Sequence, residues 1–215
     1  MTVRAAVFDM DGVLVDSEPF WRQAMIEIFP DYGVVLDDDR CRETMGLPIR
    51  NVVDYWIPDA AVKRETISVL VVERVIELVR EAECVLPGAH DAVALFEERG
   101  LPVAIASSSD QALIDAVVDV LGVHERIPVR LSAQHLEYGK PHPGIYLAAA
   151  RELGVAPEHC VAIEDAPNGI LSAKSARMRC IAVPDPSLAD NPVYGIADTS
   201  IASLTDLDWS LVENL

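Results

Sequence analysis

The segment AVFDMDGVLVDSEPFW, residues 6–21, runs from apolar side chains straight into three carboxylates, Asp9, Asp11 and Asp16. The apolar run RAAVFDM that ends there is continuous rather than alternating. That is the pattern of a parallel strand covered on both faces, and it predicts a buried strand over 3–8. If the strand extends one step past Asp9, Asp9 and Asp11 point to the same side, and Gly12 lets the chain turn away. Two such carboxylates do not both stay ionised cheaply without a cation. A hard divalent ion with oxygen ligands would relieve them. Alternatively, one keeps a proton and serves as an acid. Both can hold together, and a plain Asp-Gly turn is the bland alternative. Asp16 directly precedes Ser17-Glu18-Pro19, so helix capping or hinge duty suits it better than catalysis.

Working outward, four more strand-like runs follow: LPVAIASSS (101–109), a weaker IPVRLSA (127–133), CVAIEDA (160–166) and CIAVPDP (180–186). Helical patterns separate them at 88–99, 110–121, 143–153 and 167–176, with Gly100, Gly122 and Gly154 in helix-ending positions. Strands alternating with helices predict an α/β fold, a Rossmann-like, doubly wound parallel sheet. Residues 17–82 break the rhythm with helical stretches at 17–29, about 38–45, about 48–56 and 59–82. The expected organisation is an α/β core of 1–16 and 83–215 with an all-helical domain, 17–82, inserted after the first strand.

Composition narrows the partners. At 215 residues, 51% hydrophobic and 24% charged, the chain is globular. Its 35 acidic against 17 basic residues, net −18, disfavour nucleic acid. A phosphate ligand would need local positive charge from a metal, a lysine or helix N-termini. No apolar run is long enough to span a membrane, and no signal peptide is read at the N-terminus. Cys41, Cys84, Cys160 and Cys180 are scattered without a C-x-x-C pair, which fits buried thiols in a reducing cytoplasm.

Three further constellations share the expected sheet edge. Ser107 ends a strand before a helix, where its hydroxyl and the following N–H groups form an anion-binding corner, or simply a Ser-rich cap. Lys140 in YGKPHPGIY lies on a proline-stiffened corner and can neutralise a phosphate as a point charge, or be a solvated loop residue; His142 is read as a loop residue. Glu164 and Asp165 end an apolar strand, where paired with Asp9 they complete a cation site, or where they only favour the next helix N-terminus. In open α/β sheets, ligands bind outside the carboxyl ends of the strands.

DMDGVLVDSEP, ASSS, GKPHP and IEDAPNG, in this order, resemble the four motifs of the haloacid dehalogenase superfamily, over the whole chain and with 17–82 as its helical cap. Within it, the chain is similar to the β-phosphoglucomutase-like branch, and closest to phosphatases of 2-deoxyglucose 6-phosphate and hexitol phosphates. The resemblance implies an Mg²⁺-dependent phosphatase of small phosphorylated sugars or sugar alcohols, a cytoplasmic enzyme expected to be a monomer. It implies Asp9 as nucleophile and Asp11 as acid and base. Ser107, the backbone at Ser108, and Lys140 would hold the phosphoryl oxygens. Mg²⁺ would lie on Asp9, the Asp11 carbonyl and Asp165, with Glu164 close by. Glu18, Trp21, Trp56 and Gly46-Leu47-Pro48 are candidate sugar contacts. A dehalogenase would lack Asp11. The mutases of this branch carry His where this chain has Trp21 and Arg where it has Ile49, so a mutase is the rival reading. An inactive binding scaffold is disfavoured by the intact Asp9, Asp11, Lys140 and Asp165.

Overall fold

A computed structural model describes residues 2–44, 46–57, 63–186 and 188–215. In chain order the elements are β1 (Ala5–Phe8), α1 (Glu18–Ile28), α2 (Asp38–Arg42), α3 (Ile49–Trp56), α4 (Arg64–Glu81), α5 (Ala89–Glu97), β2 (Val103–Ser107), α6 (Gln111–Leu121), β3 (Val129–Ser132), α7 (Gly144–Leu153), β4 (Cys160–Glu164), α8 (Pro167–Ser175), β5 (Arg179–Ala182), β6 (Thr199–Ser200) and α9 (Trp209–Glu213). The strands form a parallel sheet in the order β3-β2-β1-β4-β5-β6, with β1 at its centre. This is the doubly wound, Rossmann-like α/β fold that the apolar runs predict. The chain leaves β1 toward one edge and returns to β4 on its other side, which opens a crevice at the carboxyl end of β1.

The two faces of the sheet differ in side-chain size. Ala5, Val7, Ala104, Ala106, Ala162 and Ala182 point to one face and pack against Ile145, Tyr146 and Ala149 of α7 and Ile170 and Ala173 of α8. Small strand residues let both helices approach closely. Phe8 points to the other face and meets Phe96 of α5 edge-to-face at 6.0 Å. Both rings are fully buried, each worth about 2–3 kcal/mol of transfer free energy.

The sequence and the structure differ at two strands. The run 180–186 predicts a strand to 186, but β5 ends at Ala182. Val183 N–H still donates to the Glu164 carbonyl (2.7 Å); Pro184 and Pro186 lack the N–H to continue the ladder. β6 has only two residues and no apolar run to announce it. β3 reads weakly because it is a half-buried edge strand.

Asp198 ties β5 to the approach to β6. Its Oδ2 accepts from Cys180 N–H (2.7 Å) and Lys174 Nζ (2.6 Å), and its Oδ1 from Arg179 (3.2 Å). Burial alone would raise its carboxyl, but the bonds from Lys174 and Cys180 win and hold it below the usual value. A depressed folded pKa gives stability that is present above the unfolded value and lost as pH falls through the folded one. Asp198→Asn is therefore expected to cost about 1–2 kcal/mol at pH 7. In urea unfolding the difference from wild type should shrink as pH drops below about 4. A difference unchanged at pH 3 would contradict the ion-pair account.

Residues up to Asp16 together with Val85–Leu215 form one compact unit, and Ser17–Cys84 form a second. In the helical unit, α4 buries Ile67, Val71, Val75 and Leu78, a stripe at helical spacing. Arg74 of α4 donates to Glu27 of α1 at 2.7 Å. The expected helix 59–82 corresponds to α4; its first turn, 59–62, and residue 45 at the end of the expected 38–45 helix lie outside the described residues. α2 is capped by Asp37, whose side chain accepts from Arg40 N–H. The four cysteines are buried thiols. Among the described residues no helix is long and apolar enough to cross a membrane.

Candidate active site

Asp9 follows β1 directly, and its N–H continues the ladder by donating to the Ile163 carbonyl at 2.9 Å. The side chain is nearly buried. Oδ1 accepts from the Met10 N–H (2.7 Å), and Oδ2 lies 2.9 Å from Lys140 Nζ. Burial and the charge of Glu164 push its carboxyl up to about 7, against the pull of Lys140. After Asp9 the chain coils on itself, with Leu14 and Val15 N–H both donating to the Met10 carbonyl and Gly12 N–H to Val15. Gly12 is the pivot, at φ +74°, and a Cβ there would fall 2.1 Å from Asp165 Oδ2. Glycine is needed twice over, for the left-handed backbone and for the room that Asp165 takes.

That loop turns Asp11 toward the end of β2. Asp11 Oδ2 accepts from Ser107 Oγ (3.2 Å) and Ser109 Oγ (2.7 Å). Ser109 N–H donates in turn to Ser107 Oγ, and Ser132, at the end of β3, donates its hydroxyl to the Ser109 carbonyl at 2.6 Å. Register explains the cluster: Ser107 pairs with Ser132 across the parallel ladder. Ser108 is half-buried between its neighbours.

Lys140 arrives from the loop before α7. Its side chain is 6% exposed, and Nζ bridges Asp9 Oδ2 (2.9 Å) and Glu164 Oε1 (2.7 Å). Burial alone would favour the neutral amine, but the two carboxylates reverse that and raise its pKa. Glu164 ends β4 with no exposure. Its Oε1 also accepts from Tyr146 OH (2.6 Å) and its Oε2 from Ala166 N–H (3.3 Å). A Cβ on Gly169 would lie 1.9 Å from the Glu164 carboxyl carbon, so the bare backbone of α8 forms one wall of its pocket. Asp165 is held well above the usual carboxylate range by burial, then by Glu164 and Asp9. Tyr194 OH donates to its carbonyl at 2.5 Å.

The residues singled out from sequence thus converge around the end of β1. Asp9, Glu164 and Asp165 each present an oxygen within 4.8 Å of the others. Ser109, Tyr146 and Tyr194 are additions. Ser109 was legible only as the third serine of ASSS, and nothing in the sequence pairs the tyrosines with a site. Asp16 is exposed, at the boundary between the two compact units. His142 accepts from Gly144 N–H with Nδ1, and its carbonyl accepts from Ser172, so it shapes the start of α7. In the helical unit Glu18 and Trp21 are half-buried on α1, and Gly46-Leu47-Pro48 is exposed before α3. Trp56 donates to Thr44 Oγ1 (3.4 Å) and stacks under the Arg40 guanidinium at 4.4 Å.

A buried carboxylate beside an ammonium, a second carboxylate held by hydroxyls, and a pair of carboxylates at the end of the neighbouring strand meet at this edge of the sheet. Residues 3–177 match the haloacid dehalogenase-like hydrolase family. The chain belongs to that family. It is an enzyme, and its relatives mark it as a phosphatase. Hexitol phosphatase B of Escherichia coli (strain K12) is 41% identical over 209 residues, 95% of this chain and 94% of the relative. A crystal structure of CbbY from Rhodobacter sphaeroides in complex with phosphate superposes with a TM-score of 0.91 at 28% identity, covering 99% of this chain and 100% of that one. β-Phosphoglucomutase from Clostridium difficile shares the fold, with a TM-score of 0.86 at 22% identity over 99% of this chain and 96% of that one.

Proposed function

We propose that this family member is an Mg²⁺-dependent phosphatase of hexose or hexitol phosphates, such as 2-deoxyglucose 6-phosphate, working through an aspartyl phosphate. The observation that carries the reading is the Asp9 carboxylate held 2.9 Å from a buried lysine ammonium, with Asp11 two residues on. A 41% identical relative named as a hexitol phosphatase supports the substrate class.

Asp9 attacks phosphorus, and the bond from phosphorus to the sugar oxygen breaks as Asp11 gives that oxygen a proton. Asp11 then takes a proton from water, the water attacks the aspartyl phosphate, and inorganic phosphate leaves with Asp9 restored. Ser107, the Ser108 N–H and Lys140 hold the phosphoryl oxygens throughout, and positioning with charge neutralisation supplies most of the acceleration.

The donor set fits a hard divalent cation. The carboxylates of Asp9, Glu164 and Asp165 lie within reach of one ion, and the side-chain-free Gly12 lets Asp165 close against the nucleophile loop. Asp9, the Asp11 carbonyl and Asp165 would hold Mg²⁺, with Glu164 contributing charge from beside it. When bound, the ion offsets negative charge on the phosphoryl group. We assign the helical unit, Ser17–Cys84, the role of a cap that admits the sugar and then excludes water, with Glu18, Trp21, Trp56 and Gly46-Leu47-Pro48 as its candidate sugar contacts. The enzyme is expected to act as a monomer in the cytoplasm, without nucleic acid or membrane.

A phosphate-release screen over sugar and hexitol phosphates tests the reading, with glucose 1-phosphate to glucose 6-phosphate conversion followed in parallel. Release from at least one hexose or hexitol phosphate, abolished by EDTA and restored by Mg²⁺, is expected. Activity that survives EDTA would remove the metal from the account. Isomerisation without net phosphate release would make the chain a mutase.

A further inference from the structure

Glu164 Oε1 takes two donors at once, Lys140 Nζ at 2.7 Å and Tyr146 OH at 2.6 Å. Both distances lie in the range of charge-assisted hydrogen bonds. Tyr146 is the third residue of α7, fully buried among Ile145, Ala149 and the small face of the sheet. Burying a hydroxyl in such surroundings is costly unless it is bonded, and a phenylalanine would fill the same space without that cost. The ring also lies under the ammonium, with Nζ 5.2 Å from its centroid, inside cation–π range. Tyr146 therefore touches both members of the ion pair that serves Asp9.

We propose that Tyr146 is a positioning residue for Lys140, acting through Glu164. The ammonium lies between two carboxylates, Glu164 at 2.7 Å behind it and Asp9 at 2.9 Å in front. An anchor that pulled too hard would draw the ammonium away from the nucleophile. The phenol takes up part of the charge on Oε1, the Ala166 N–H holds Oε2, and the Gly169 backbone walls the carboxylate in place. Glu164 then fixes Lys140 in direction without withdrawing it, and the ammonium remains available to the phosphoryl group as charge develops. Removing the hydroxyl leaves Oε1 to Lys140 alone and shifts the ammonium toward Glu164.

This inference rests on the phosphatase reading, so wild-type turnover is measured first. Its absence would sink that reading; normal turnover leaves the variants to decide on Tyr146. Tyr146→Phe should lower kcat about tenfold with KM within about twofold, because the lost contact acts on the transition state. In a Glu164→Gln background the same change should cost less than about twofold, since the residue it acts through is already neutral. A packing role would cost the same in both backgrounds, and that additivity would overturn the proposal, as would a Tyr146→Phe enzyme with wild-type kcat. A measurement on the wild-type fold covers the case in which a variant melts below assay temperature. The Tyr146 hydroxyl proton should be slow to exchange by NMR, and its shift should move when inorganic phosphate binds in the presence of Mg²⁺. A rapidly exchanging or unmoved proton would overturn the proposal.

Discussion

Asp9→Asn should reduce phosphate release by roughly 10⁴-fold or more while leaving the fold intact. An amide cannot carry the phosphoryl group, and Asp11 is committed to Ser107 and Ser109 on another flank of the site. The stability side of the prediction is as specific. Burial and Glu164 push the Asp9 carboxyl up to about 7 in the metal-free protein. A raised folded pKa means that stability is lost as pH rises from the unfolded value to about 7, so at pH 8 the ionised Asp9 costs the fold in full. Asparagine removes that cost. In EDTA at pH 8, the thermal midpoint of the variant should equal or exceed that of wild type. Near-wild-type turnover would make another group the nucleophile, and a midpoint many degrees lower would mean that Asp9 is a structural residue.

Lys140→Met should damage both stability and activity. The ammonium is the cation shared by Asp9 and Glu164, and the Glu164 carboxyl has no exposure to fall back on. Removing one partner of a buried ion pair typically costs about 3–5 kcal/mol, because the remaining charge is stranded. For a chain of this size that is a fall of about 10 °C in the thermal midpoint. Phosphate release should drop by about 10³-fold, the scale seen when one preorganised charge-stabilising donor is lost. Adding Glu164→Gln should recover much of the stability and none of the activity. A Lys140→Met protein as stable as wild type would show that the ion pair is not what holds this corner, and retained activity would remove Lys140 from phosphoryl binding.

The strands that build the site were legible because each is a continuous apolar run closed by a polar residue, from Phe8 to Asp9, Ala106 to Ser107 and Ile163 to Glu164. Burial on both faces forces that pattern on interior parallel strands. The same physics hid β6 and overextended β5: two edge residues need no apolar run, and the prolines at 184 and 186 end pairing without ending hydrophobicity. Asp9, Asp11, Lys140 and Asp165 stood out because like charges and a stiffened lysine at strand ends need a chemical reason.

The sequence by itself determined the interior strands of the sheet, the helical stretches between β1 and α5 and the chemical groups available at the sheet's edge, since periodicity and charge are local properties of the chain. Only the tertiary structure decided how those groups divide their work. It turned Asp11 toward Ser107 and Ser109 at the end of β2, placed Lys140 between Asp9 and Glu164, and brought the phenol of Tyr146 onto the same oxygen as the ammonium, while Ser132 of β3 braced the Ser109 carbonyl. Those contacts join residues 18 to 131 positions apart, and no local pattern encodes which buried donor will find which buried acceptor. That pairing follows from strand register and from the space left by Gly12 and Gly169, which exist only once the sheet and its helices have packed.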